Sequence, residues 1–265
     1  MTESTPVHPA SPASLVDTWD ATVRWFHWIN VLCVVFLGLS GTLILNDEAF
    51  GIEGTGKVFL KTVHTYVGYV FAVNLLWRLL WATFGSKNAR WRALLPVGSG
   101  YLVSLRAQLR DIRRSTATDY AGHSPLARLM IAVLLLLLIS QALTGLLLAG
   151  TDLYMPPLGS LFANWVTDGS PERLALLQPG STEHVVESSY QAMRDFRSPF
   201  KEIHEYGFFV LLAAVVIHVG ANVLAEVRFA TGQISAMFSG KKRAPVTPVM
   251  SDNEAGTTRR AEQER

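Results

Sequence analysis

Four stretches of this chain stay apolar for about twenty residues or more, the length a helix needs to cross a hydrocarbon core about 30 Å thick. They run from about 25 to 45, 59 to 84, 126 to 149 and 203 to 227. Polar interruptions are few. The first, second and fourth stretches contain histidine, and the third has only Ser140, Gln141 and Thr144 as notable polar groups. Trp25, Trp28, Trp77 and Trp81 lie near stretch ends, where amphipathic rings meet the membrane interface. The pattern predicts an all-α fold, an integral membrane four-helix bundle over residues 21–240. The polar tails 1–20 and 241–265 are expected to be disordered. Residues 150–202 read as a long external loop, broken at Pro156-Pro157 and Ser170-Pro171, with a short helix expected from Glu183 to Phe196.

Charge orients the bundle. The segment from Gly85 to Pro125 holds Lys87, Arg90, Arg92, Arg106, Arg110, Arg113 and Arg114 against Asp111 and Asp119, while the turn 46–58 has only Lys57 beside Asp47, Glu48 and Glu53. The positive-inside bias puts the basic segment in the cytoplasm. Both termini then face the cytoplasm too, in agreement with Lys241-Lys242-Arg243, and a bacterial inner membrane is the expected location, with loops 46–58 and 150–202 periplasmic. Leu102, Leu105, Leu109 and Ile112 recur at helical spacing among the arginines. They fit an amphipathic helix at the interface or a solvated basic helix.

Composition narrows the chemistry. The chain is 49% hydrophobic and 17% charged, against about 25% charged for a soluble domain, so the lipid bilayer is its expected medium. A net charge of +2 is too small to point to nucleic acid. The single cysteine, Cys33, excludes an intramolecular disulfide, a Cys-rich metal site and covalent c-type haem attachment. The first twenty residues lack the basic start and apolar core of a signal peptide. Gly51 to Val58 imitates a phosphate-binding loop, but Val58 stands where a magnesium-binding hydroxyl is needed and no strand precedes it.

The histidines carry the chemistry. Of seven, His8, His123 and His184 fall outside the apolar stretches, while His27, His64, His204 and His218 fall inside. His204 and His218 are fourteen residues apart, a spacing about 40° short of four helical turns and about 21 Å long. Both rings therefore share one helix face at two depths. His64 matches the depth of His204, and His27 that of His218. Ionisable groups inside a membrane point to function by default. Two leaflet-matched pairs suit two haems b, each iron taking one axial imidazole from each of two facing helices. Single zinc or copper ions fit less well, because the four rings are split between two depths. Gly38, Gly41, Gly68, Gly145 and Gly207 would admit a flat macrocycle or serve helix packing. Arg24 and Arg78 fit two roles, pairing with haem propionates or snorkelling to the interface.

These residues resemble the prokaryotic di-haem cytochrome b561 group, related to the cytochrome b subunits of nickel–iron hydrogenases and formate dehydrogenases. The resemblance rests on Val23-Arg-Trp-Phe-His27-Trp, His64 with Arg78-Leu-Leu-Trp81, Tyr120-Ala-Gly-His-Ser-Pro-Leu126, His204-Glu with His218, and Ala236-Met-Phe-Ser-Gly-Lys-Lys-Arg243. It covers roughly residues 20–243. It implies two haems b, ligated by His27 with His218 and His64 with His204, and electron transfer between quinone and a partner redox protein such as a hydrogenase subunit or a c-type cytochrome. Ser124 departs from the asparagine usual in that group. Two alternatives remain: a stand-alone quinol oxidoreductase with a small-molecule acceptor, and a transporter built on histidine relays.

Overall fold

The computed structural model describes residues 15–114, 120, 122–229 and 232–243. Four long helices, α1 (Ala21–Leu45), α2 (Gly54–Phe84), α5 (Pro125–Leu153) and α8 (Glu187–Phe229), are long and apolar enough to cross a membrane. Short helices α3 (Trp91–Leu94) and α4 (Tyr101–Arg113) follow α2, α6 (Gly159–Val166) and α7 (Pro171–Leu176) follow α5, and α9 (Gln233–Ser239) follows α8. The most apolar windows of the four spans are only 11%, 22%, 17% and 11% buried by protein. Leu32, Val73, Leu136 and Val216 project outward, an arrangement stable only against lipid.

Local chemistry sets the helix starts. Asp20 caps α1 by accepting the Val23 amide at 2.8 Å. Ser124 caps α5 by accepting the Ala127 amide at 3.2 Å, with Pro125 in the first turn. Serine and asparagine are both good N-caps, so the departure at Ser124 preserves the local structure. Tyr101 is buried and donates its hydroxyl to the Pro125 carbonyl at 3.0 Å, tying α4 beneath α5. Leu102, Leu109 and Ile112 on α4 stay exposed. Lys57, in the segment that imitates a phosphate loop, pairs with Asp47.

The bundle has two distinct ends. At the basic end, β1 (Leu15–Asp17) pairs antiparallel with β2 (Lys241–Arg243). Arg24 donates to the Phe238 carbonyl at 2.5 Å, and Trp28 to that of Met237 at 3.2 Å. This corrects the inner edges of the expected tails 1–20 and 241–265, whose residues Leu15–Asp17 and Lys241–Arg243 pair through their backbones. The remainder of both tails lies outside the described residues. At the other end, α6 and the first turns of α8 form a cap around buried Phe162, Val166, Val185 and Met193.

The expected separate helix from Glu183 to Phe196 is instead the start of α8, which runs unbroken for 43 residues through Pro199, about 64 Å. The cap supports this extension, so a missing amide at Pro199 does not end the helix. Between the two ends lies the main core, Cys33, Phe71, Leu75, Leu135, Leu138 and Leu211, drawn from all four spans. Leu211 is midway between His204 and His218, so this apolar layer separates the two histidine levels.

Candidate haem sites

At the capped end, His64 on α2 and His204 on α8 face each other with ring centroids 6.4 Å apart and planes at 76°. That spread suits two imidazoles on opposite sides of one metal ion, with metal–nitrogen bonds of about 2 Å. Each ring is held from behind. His64 Nδ1 lies 2.9 Å from Ser40 Oγ, and His204 Nδ1 lies 2.9 Å from Thr144 Oγ1. Both hydroxyls donate to a carbonyl one turn back, Ser40 to Phe36 at 2.8 Å and Thr144 to Ser140 at 2.7 Å. Their oxygens are therefore left to accept from the imidazoles. This arrangement favours the tautomer with the proton on Nδ1 and the Nε2 lone pair kept for a ligand.

Glycine follows each hydroxyl and leaves room for the ring. A Cβ on Gly41 would lie 3.5 Å from His64 Cε1, and one on Gly145 would lie 3.2 Å from His204 Cε1. One turn along α2 from His64, a Cβ on Gly68 would meet no atom within 4 Å, a cradle in which a flat group fits against the backbone. A Cβ on Gly207 would collide with Gln141, which donates to the His204 carbonyl at 3.2 Å, so this glycine serves packing. Gly38 packs beside Phe208. The repeated dipeptides Ser40-Gly41 and Thr144-Gly145 are the signal that the histidine spacing alone does not reveal.

At the basic end, His27 on α1 and His218 on α8 interact electrostatically. His27 Nδ1 and Asn30 Oδ1 are buried without hydrogen-bond partners, and orphaned buried polar atoms cost about 1–3 kcal/mol each. His218 Nδ1 lies 3.5 Å from Asn222 Nδ2, which donates to the His218 carbonyl at 2.7 Å. Paired imidazoles and an open glycine cradle both fit haem. Among the described residues, no group of three or more His, Cys, Asp and Glu gathers as a metal site.

Arg78 does not snorkel. It is 5% exposed, donates to the Ala89 carbonyl at 3.1 Å and lies over the Phe26 ring at 5.8 Å, beside His27 in sequence. Arg24 is engaged with the C-terminal segment. His123, placed by the sequence outside the site, is drawn into the basic end, 4.5 Å from the Trp19 ring and with Nδ1 buried and unpartnered. Burial first, then the nearby Arg78 and Arg128 charges, push its pKa down to about 3, partly opposed by a bond to the Ala93 backbone. A loop histidine has no periodicity to betray such a position.

The comparisons with known proteins agree with this architecture. The family described as "Prokaryotic cytochrome b561" matches residues 18–240. A "Probable Ni/Fe-hydrogenase B-type cytochrome subunit" of Cupriavidus necator is 27% identical over 241 residues, covering 87% of this chain and 89% of the relative. A protein of the same description from Rhizobium leguminosarum bv. viciae is 26% identical, with 86% and 88% covered. The "Probable Ni/Fe-hydrogenase 1 B-type cytochrome subunit" of Escherichia coli K12 is 29% identical over 138 residues, 48% of this chain and 57% of that one. No solved structure matches the chain. With four spans and a family match over most of its length, the chain belongs to the prokaryotic cytochrome b561 family of multi-pass membrane cytochromes.

Proposed function

We propose that the chain is a two-haem electron conduit between quinone and a partner redox protein of the hydrogenase type. His64 and His204 would hold the haem at the capped end, and His27 and His218 the one at the basic end. The observation that carries this reading is the His64–His204 pair, 6.4 Å apart with both Nδ1 atoms tied to hydroxyls. When bound, haem supplies reversible one-electron chemistry at iron. The chain's own part is positional. Ser40 and Thr144 fix tautomer and ring orientation, while the Cys33–Phe71–Leu211 layer keeps water out between the two levels.

Positive-inside charge supports a basic end in the cytoplasm of a bacterial inner membrane and a cap outside. A hydrogenase-type partner is supported by the printed names of the relatives. Arg78, held inward beside Phe26, is the basic-end candidate for a propionate partner.

Purified protein tests the reading. Dithionite-reduced minus oxidised spectra are expected to show b-type α-bands with two haems per chain. His204→Ala is expected to remove the capped-end haem and His218→Ala the other. One haem per chain, or loss of the same component from both variants, overturns the pairing.

A further inference from the structure

Three charged side chains converge at the capped end, outward of the His64–His204 pair. Asp152 near the end of α5 binds Lys61 of α2 at 2.5 Å through Oδ2, and Arg197 of α8 through Oδ1. All three are largely withdrawn from water, with side-chain exposures of 28% for Lys61, 18% for Asp152 and 20% for Arg197. Lys61 is three residues before His64, about 4.5 Å along α2, and Arg197 is seven before His204, about 10 Å along α8. Each cation thus stands on the same helix as an axial imidazole, a short way toward the cap.

A clasp between helices needs one cation for one carboxylate. Here two cations share Asp152. Asp47 feels the Lys61 charge but is itself ion-paired with Lys57, and Glu205 is paired with Lys201, so these acids leave the cluster one cation in excess. Arg197 Nε is buried with no hydrogen-bond partner, and the Lys61 ammonium has three donors to place. A partly buried excess charge with unused donors is costly on its own, and it is the setting in which a further carboxylate binds well.

We infer that Lys61 and Arg197, spaced by Asp152, receive a propionate carboxylate of the haem held between His64 and His204. This rests on the two-haem reading above. The cluster then tunes as well as binds. Its cations oppose the positive charge of the oxidised iron and raise the reduction potential, and Asp152 moderates them.

Potentiometric titration and resonance Raman spectroscopy of the purified full-length chain test the inference, with the capped-end haem identified as the component missing from His64→Ala. Arg197→Gln is expected to retain both haems and shift the propionate-bending band of the capped-end haem. It should also lower that haem's reduction equilibrium about tenfold, or about 59 mV for one electron, without moving the other haem. Asp152→Asn is expected to shift the potential upward, and Arg197→Lys to stay near the parent. If Arg197→Gln sheds the haem, Arg197→Lys should restore it. An unmoved band and potential, equal shifts in both haems, or loss of the haem from Asp152→Asn as well overturn the assignment. A parent protein without two haems defeats the two-haem reading itself, a separate failure.

Discussion

Ser40 and Thr144 do the same job on different helices. Each is a hydroxyl followed by glycine, each donates back to its own helix, and each is thereby left to accept from Nδ1 of a histidine 2.9 Å away on the neighbouring helix. Such a bond enriches the imidazole in electron density and stabilises oxidised iron. Ser40→Ala and Thr144→Val are each expected to keep the haem and raise the capped-end potential by about 40 mV, the equivalent of about 1 kcal/mol for one lost hydrogen bond. Redox titration checks the sign, and a downward shift would show that the hydroxyls donate. His123 is read through pH. Its folded pKa of about 3 lies below the usual 6.5, so the unfolded chain binds the proton first as pH falls. Stability from this residue is intact above pH 6.5 and is lost progressively as pH falls toward 3. Thermal melting in detergent between pH 7 and 4 is expected to show this loss, and His123→Gln to flatten it.

Among the elements, α8 imposes the strictest geometry, because one continuous helix supplies a histidine to both levels. A single alanine inserted after Leu211 would turn His218 about 100° away from its present face and move it about 1.5 Å. The expected product keeps the capped-end haem and loses the basic-end one, as read by haem content and the two potentiometric components. Two haems with unchanged potentials would show that the fourteen-residue spacing is not what sets the second site. The spans and this spacing were legible because a membrane helix advertises itself by a long apolar run and an ionisable group within it by its cost. The continuity of its outward helix, expected from Glu183 to Phe196, with the span of α8 was not. Beyond the bilayer a helix needs no apolar run, and Pro199 with the charges around it reads locally as an ending, whereas the cap core of Phe162, Val166 and Met193 keeps it helical. The pairing of β1 with β2 and the drawing-in of His123 are contacts between remote segments, for which no local pattern exists.

At the scale of the whole molecule, the two ends differ in charge and construction, and the proposed orientation in the membrane rests on that difference. The basic end gathers both strands and the arginines of the α2–α5 connection, while the capped end sets Lys57, Lys61 and Arg197 against Asp47 and Asp152. Translocating the basic segment would carry seven Lys and Arg side chains between Gly85 and Pro125 across the bilayer, which favours the proposed cytoplasmic location for it. The chain provides its own low background for testing this, since Cys33 is 6% exposed within the core and is its only cysteine. Glu183→Cys in the cap and Arg106→Cys on α4 place a thiol at exposed positions on opposite ends. In intact spheroplasts a membrane-impermeant maleimide is expected to label Glu183→Cys and spare Arg106→Cys, with both labelled once the membrane is opened. The reverse pattern would put the cap in the cytoplasm. The His64–His204 pair would then face a cytoplasmic partner, and an electron entering from outside would meet the His27–His218 pair first.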